Sequence, residues 1–325
     1  MTSLEPFLLS PVFSERPWGG TRLAAYGKQL PDDALIGESW EVADLPDGVA
    51  KGVADPRSRV ATGPYAGLSL ADLILSHERQ LMGDAQPTPE GRFPLLVKLI
   101  HAREPLSVQV HPHAKYVAEH PEARLKTESW YVVEADEGAE LFVDFDDAAS
   151  DDEIEQAIGS PAIVRLLGRS PVSVGDFQHV PAGLVHAIGA GIILAEVQTP
   201  SDTTFRIYDW SEELGRAQRE MHPRESLASI RRNPPEAFSL GASEEPGFRD
   251  LIECDHYWMR EHLIDGGRAA LRETAGPTVL MAIEGGLTID GLTVEKGGTA
   301  IIPACSAPEV TAPNAATVLE VGLVP

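Results

Sequence analysis

Gly175-Asp176-Phe177-Gln178-His179-Val180-Pro181-Ala182-Gly183-Leu184-Val185-His186 is the stretch whose reading decides the fold. Pro181 lacks a backbone donor and Gly183 tolerates torsions other residues avoid, so Pro181-Ala182-Gly183 shapes a turn between two β-strands. The strand that follows carries His186 at its start and points it back across the turn. On either side the pattern stays β-rich, from Val172 to Gln198, with further turns at Gly175-Asp176 and Gly189-Ala190-Gly191.

Two upstream segments have the same character. Ser107-Val108-Gln109-Val110-His111 alternates polar and apolar residues, which puts Ser107, Gln109 and His111 on one strand face. Lys126-Thr127-Glu128-Ser129-Trp130 places Lys126, Glu128 and Trp130 likewise. Each alone describes an ordinary half-buried strand with its polar face in water. The spacing Gly, five residues, Pro-x-Gly, two residues, His resembles the second cupin motif. Gln109-Val110-His111 then stands where cupins carry His-x-His, and Glu128 where they carry their glutamate. This likeness implies a β-barrel that holds one divalent cation through Gln109, His111, Glu128 and His186. Nitrogen and oxygen ligands without thiolate suit Zn2+, although other divalent metals such as iron, manganese and cobalt share that ligand preference. His113 follows Pro112 on a turn, His179 is out of step with the Pro-Gly turn, and they and His120 read as surface or packing residues.

A chain of 325 residues exceeds the usual size of one domain, and 29 Gly with 26 Pro scattered among short apolar runs indicate many tight turns. The fold class expected is mainly β, a double cupin of two jelly-roll β-barrels with a few helices packed on the N-terminal barrel. Helical spacing of Leu70, Leu73, Ile74 and Leu81 after a Ser69/Asp72 capping box predicts a helix ending near Gly83. Shorter helices are predicted over Ala114 to Glu119 and from Asp151 to about Leu167, while the first 60 residues read as edge strands and loops. Residues 233–247, with Pro234, Pro235 and Pro246, form the best linker. The domains expected are therefore 1–235, metal-binding and catalytic, and 236–325, a cupin-like barrel without metal. Gly297 and Pro303 are spaced as Gly175 and Pro181 are, and Glu320-Val321 echoes Glu196-Val197. Cys305 and Pro308 would stand in that repeat where the first barrel has Gly183 and His186. Coincidence between two Gly/Pro turns is the competing explanation.

Fifty acidic against 26 basic side chains give a formal charge of −24. Such a surface repels nucleic acid and anionic membranes, so neither is an expected partner, and an anionic small molecule would need a locally basic pocket. No apolar run spans a bilayer and residues 1–18 lack secretory features. With Cys254 and Cys305 alone there is no disulfide framework, and a cytoplasmic location is expected. Oligomeric state is not readable from the pattern.

Further segments carry a family likeness. Leu106 to Pro112, Lys126 to Tyr131, Val180 to Ala187, and Gln198-Thr199-Pro200-Ser201-Asp202-Thr203-Thr204-Phe205-Arg206-Ile207-Tyr208-Asp209-Trp210 resemble, in order, type I mannose-6-phosphate isomerases. Fainter echoes are Trp18-Gly19-Gly20, Gly37-Glu38-Ser39-Trp40-Glu41 and Pro94-Leu95-Leu96-Val97-Lys98. The short interval between Glu128 and His186 matches the bacterial form that lacks a large helical insertion. Two departures stand out: His113-Ala114 where acidic residues are usual, and Phe205 in place of a tyrosine.

The resemblance implies interconversion of mannose 6-phosphate and fructose 6-phosphate, with a proton moved between C1 and C2 through a cis-enediol. It implies catalytic roles for Arg206, Lys126 and Glu196, and contact of Ser107 and Lys98 with the substrate phosphate. Arg206 cannot give up its proton and so would stabilise charge. Lys126 could act as base only if the metal and desolvation favoured its neutral form, and Glu196 is the other candidate. An iron or manganese cupin oxygenase is one alternative, though it would more naturally carry His-x-His where Gln109 stands. A catalytically silent sugar-phosphate-binding relative is another, and it should have lost Lys126 or Arg206.

Overall fold

Strands that are apolar on both faces must be covered on both sides, and this chain stacks its sheets to do so. The computed structural model describes residues 3–324. A seven-stranded antiparallel sheet runs in the order Phe238–Leu240, Phe177–Val180, Glu128–Ala135, Ile192–Gln198, Leu96–Ala102, Ile36–Val42 and Val12–Gly20. A five-stranded sheet has the order Phe205–Tyr208, Val108–Val110, His186–Ile188, Glu140–Phe145 and Leu167–Pro171. The two enclose a barrel interior of Trp18, Ile100, Trp130, Leu141, Ile188 and Leu194. Helices Ala114–Glu119 and Asp151–Ala157 and the 3-10 turn Pro161–Leu166 cover the outside of the five-stranded sheet, where Tyr116, Ile154 and Ile163 pack on Val110, Phe142 and Phe205.

The third sheet is nine-stranded and holds most of the carboxy-terminal chain. Its inward residues Leu280, Ala282, Ala300 and Val318 line a second barrel interior. Their neighbours Val279, Met281, Ile301, Leu319 and Val321 join Tyr257 and Met259 in packing against Val97, Leu99, Tyr131 and Ile193 of the seven-stranded sheet. Successive residues of one strand thus serve different cores: Trp130 and Val132 face the first barrel, Tyr131 and Val133 the layer between barrels. This double burial explains why the run from Phe93 to Ile100 is almost unbroken in its apolarity. The mainly β, two-barrel expectation holds. Strand Phe7–Ser10, however, pairs with Thr299–Ile302, Phe7 opposite Ile301. The nine-stranded sheet therefore draws strands from both sides of residue 235.

The helix predicted after Ser69 spans Leu70–Met82, with Ser69 and Asp72 forming a reciprocal capping box and Gly83 as C-cap. It sends Leu70, Leu73, Ile74 and Leu81 into the layer between the barrels. The single helix expected from Asp151 to Leu167 is two pieces, because Gly159 takes a positive φ of 80° and Pro161 follows it. Ile36–Val42, read as part of an edge region, is an internal strand buried at every position, and Val12–Gly20 is the edge beyond it. The linker region contributes Phe238–Leu240 to the seven-stranded sheet. No helix among the described residues is long and apolar enough to cross a membrane.

Candidate active site

The Pro-Gly turn ties three ligand-bearing segments together. Gly183 sits at φ 93°, a torsion suited to glycine, and its N–H donates to the His111 carbonyl at 3.0 Å. The neighbouring Ala182 N–H donates to Thr127 Oγ1 at 3.2 Å, next to Glu128. Beyond the turn His186 lies directly opposite Gln109 in the five-stranded sheet, and Glu128 is paired with Val180 and Gln198 in the other. Both sheets therefore deliver side chains to one barrel mouth.

There His111, Glu128 and His186 form a buried group whose ligand atoms all lie within 4.8 Å of one another. His111 Nε2 is 3.3 Å from Glu128 Oε2, and His186 Nε2 is 3.3 Å from Glu128 Oε1. The far nitrogens are both anchored: His111 Nδ1 donates to the Thr203 carbonyl at 3.0 Å and His186 Nδ1 to the Leu184 carbonyl at 2.9 Å. That fixes each tautomer with a bare Nε2 aimed inward, the arrangement that outer hydrogen bonds give metal-binding histidines. Gln109 completes the ring, its Nε2 donating to His186 Nε2 at 3.2 Å while its Oε1 accepts from Ser107 Oγ at 3.3 Å.

Burial and the adjacent Lys126 charge push His111 down to about 3, and burial also lowers His186. Glu128 stays ionised: burial opposes this, but Lys126 and the imidazoles hold it well below the usual carboxylate range. His111 Nε2 and Glu128 Oε1 are buried without a hydrogen-bond partner, and Glu128 Oε2 is met only by the Lys126 ammonium. Leaving such atoms unmet is costly, and a cation at their focus would satisfy all of them.

Beside this group opens a cavity of about 690 Å³ with Gln109, Lys126, Glu196, Lys98 and Arg206 on its wall. Lys126 Nζ is 2.7 Å from Glu128 Oε2. Arg206 pairs in register with Gln109, its Nε has no partner, and no carboxylate among the described residues forms an ion pair with it. Burial, then the nearby Arg219, lowers its affinity for a proton. Its backbone is fixed by His222, whose Nδ1 accepts from the Arg206 N–H at 3.2 Å.

Glu196 and Lys98 face each other across neighbouring strands and are ion-paired at 2.8 Å, and Trp130 Nε1 donates to the other Glu196 oxygen at 3.1 Å. Lys98 also lies 3.7 Å from Glu38, which in turn receives Arg16 at 2.8 Å and Trp40 Nε1 at 2.7 Å. Despite complete burial, Glu196 and Glu38 hold Lys98 protonated above its ordinary range. It lines the cavity with its charge already matched by these carboxylates. Ser107 is buried behind Gln109, away from the cavity wall, and its visible contact is with that amide.

The histidines set aside from the ligand set lie elsewhere. His113 caps the helix that follows by accepting from Tyr116 N–H at 3.1 Å, and His179 lies against Ser129 on the opposite strand face. Residues the sequence did not single out also line the cavity, among them Arg16, Lys51, Asp202, Arg219, Glu220 and His222. Apart from Arg16, which lies on the edge strand Val12–Gly20, they come from loops, where no periodicity marks a side chain's direction.

Two antiparallel β-barrels, one bearing a His/Glu/His group at its mouth, define a cupin-type protein built to hold a metal ion. The family model for the catalytic domain of type I phosphomannose isomerase matches residues 7–146. The chain is 40% identical over 309 residues to the mannose-6-phosphate isomerase of Streptococcus mutans, with 92% of each chain covered. It is 35% identical over 308 residues to mannose-6-phosphate isomerase ManA of Bacillus subtilis, covering 92% of this chain and 93% of that one. The crystal structure of mannose 6-phosphate isomerase from Bacillus subtilis superposes with a TM-score of 0.78 at 29% identity, over 98% of this chain and 99% of the other. The chain belongs to the type I phosphomannose isomerase family. Membership sets aside the oxygenase alternative.

Proposed function

We propose that the protein interconverts mannose 6-phosphate and fructose 6-phosphate by moving a proton between C1 and C2. The observation that carries this reading is the pair of inward-facing atoms without a hydrogen-bond partner, His111 Nε2 and Glu128 Oε1, beside a cavity in which the Arg206 guanidinium forms no ion pair among the described residues. His111, Glu128 and His186, with the Gln109 amide turned to present its oxygen, would hold one divalent cation, with zinc favoured because the donors are nitrogen and oxygen. Bound there, the cation supplies Lewis acidity toward the oxygens on C1 and C2.

The chain's own residues do the rest. Arg206, permanently charged, stabilises negative charge on the enediolate oxygen. Lys126 lies on the wall next to Glu128, and in its neutral form, which a cation held by Glu128 would favour, it would carry the proton between the two carbons. Glu196, with one oxygen on Lys98 and the other on Trp130, is fixed in place and serves to orient the sugar. Lys98 adds positive potential to the wall, and Ser107 acts through Gln109. The free thiols of Cys254 and Cys305 accord with a cytoplasmic setting.

A coupled assay with mannose 6-phosphate tests the proposal. Turnover that chelation abolishes and added zinc restores is the expected result. Failure to form fructose 6-phosphate with the metal-loaded protein would refute it.

A further inference from the structure

Cations surround the active-site cavity, but most are already spoken for. Lys98 is matched by Glu196 and Glu38, Lys126 by Glu128, Arg16 by Glu38, and Arg219 by a two-point contact with Asp209. Arg206 is uncommitted but stands opposite Gln109, at the end of the cavity where C1 and C2 must react. A phosphate on the far end of the sugar needs positive charge elsewhere, all the more because the protein as a whole carries −24.

Lys51 meets that need. It lines the same cavity, and its Nζ is held at 3.0 Å by Glu220 alone, with the two side chains 77% and 67% exposed. An ion pair so exposed is worth little and exchanges readily. The loop beneath it is anchored to the site, because Lys51 N–H donates to Asp202 Oδ2 at 3.1 Å and its carbonyl accepts from Arg16 Nη1 at 3.4 Å. A fixed backbone carrying a mobile ammonium at the cavity rim suits capture of a dianion that arrives from solvent. Arg124, the other rim cation, is less exposed and pairs at 2.9 Å with Glu90.

We propose that Lys51 is a phosphate-recognising residue of this enzyme and that Glu220 occupies it until the substrate phosphate displaces the carboxylate. The inference builds on the isomerase reading and adds a residue and an exchange step to it. Both Lys51 and Glu220 lie off the sheets, so replacing them leaves the barrel and the metal group intact.

Binding of inorganic phosphate to the zinc-loaded protein, followed by titration calorimetry, tests the inference independently of turnover. Lys51→Ala should weaken phosphate about tenfold, as loss of one charge-assisted contact does. Lys51→Arg should stay near wild type, and Glu220→Gln should bind more tightly. With mannose 6-phosphate as substrate, Lys51→Ala should raise KM by a similar factor and keep kcat. Unchanged phosphate affinity in Lys51→Ala, or looser binding in Glu220→Gln, overturns the inference. Absence of isomerase turnover in the wild type would instead count against the reaction, and the calorimetric comparison would still decide the role of Lys51.

Discussion

The Tyr257 hydroxyl, carried by the carboxy-terminal sheet, lies 2.9 Å from Ser129 Oγ and donates to the Val197 carbonyl at 3.1 Å. Its one proton is thereby used, so Ser129 must donate to Tyr257. The His179 Nδ1–H, 2.9 Å from Ser129 Oγ, must then donate to the serine. The chain of donors has one direction, from His179 through Ser129 and Tyr257 to Val197. Ser129 and Val197 adjoin Glu128 and Glu196 in paired strands, so the second barrel grips from behind the residues that face the active site.

Tyr257→Phe removes the donor to Val197 and the acceptor for Ser129. Stability should fall by about 1–2 kcal/mol, the usual cost of buried groups left unmet. Zinc affinity should fall as well, since Glu128 loses its backing. Urea unfolding with a parallel metal titration checks both, and a variant with wild-type metal affinity would contradict the coupling.

Arg206→Ala should keep its zinc and lose turnover by about two to three orders of magnitude, the scale for removing one preorganised charge stabiliser. Arg206→Lys should not restore it, because a point charge cannot reproduce the planar fork. His186→Ala should lose the metal instead. Metal analysis beside steady-state kinetics separates the two phenotypes.

Gly183→Ala places a methyl group at φ 93° within 3.0 Å of the Ser229 carbonyl and 2.8 Å of the Arg231 side chain. Strain of about 1–3 kcal/mol is expected. The turn also holds His111 and Thr127, so zinc binding should weaken together with thermal stability, which calorimetry with and without zinc would reveal.

Acid should destabilise the metal-free protein through its histidines. Burial lowers His111 to about 3 and His179 to about 4, and lowers His186 as well, from an ordinary value of 6.5. Between those limits the unfolded chain takes up protons that the folded one refuses. Stability is therefore full above about pH 7 and declines as pH falls from 6.5 toward 4, by about 1.4 kcal/mol per unit for His111 and for His179, with His186 acting in the same direction. Urea midpoints measured across that range check the sign, and a flat profile would show the imidazoles to be protonated in the fold.

Legibility in the sequence followed the regularity of the backbone. The capping box at Ser69 and the Pro181-Gly183 turn are local devices, and both formed where the pattern placed them. His111, Glu128 and His186 were readable through the likeness to the cupin motifs, since strand alternation alone would have left each segment an ordinary half-buried strand. Ile36–Val42 was misplaced because burial on both faces depends on sheets brought together from distant sequence. The helix Pro223–Ser229 has no side-chain cap to mark its start, unlike the comparably short helices that follow His113 and Ser150. The carboxylates matched to Lys98 were invisible for a like reason: Glu38 and Glu196 meet it across separate strands. Lys51 and Glu220 sit on loops.

Strand Phe7–Ser10 finds its partner Thr299–Ile302 only when nearly the whole chain has been synthesised. On the ribosome this early strand can pair with Arg59–Val60 along one edge, but its other edge must wait for the second barrel to emerge, and the ring of contacts closes late. A proteolytic nick that frees either strand would open the same seam, so damage near one end of the polypeptide should be felt at the other.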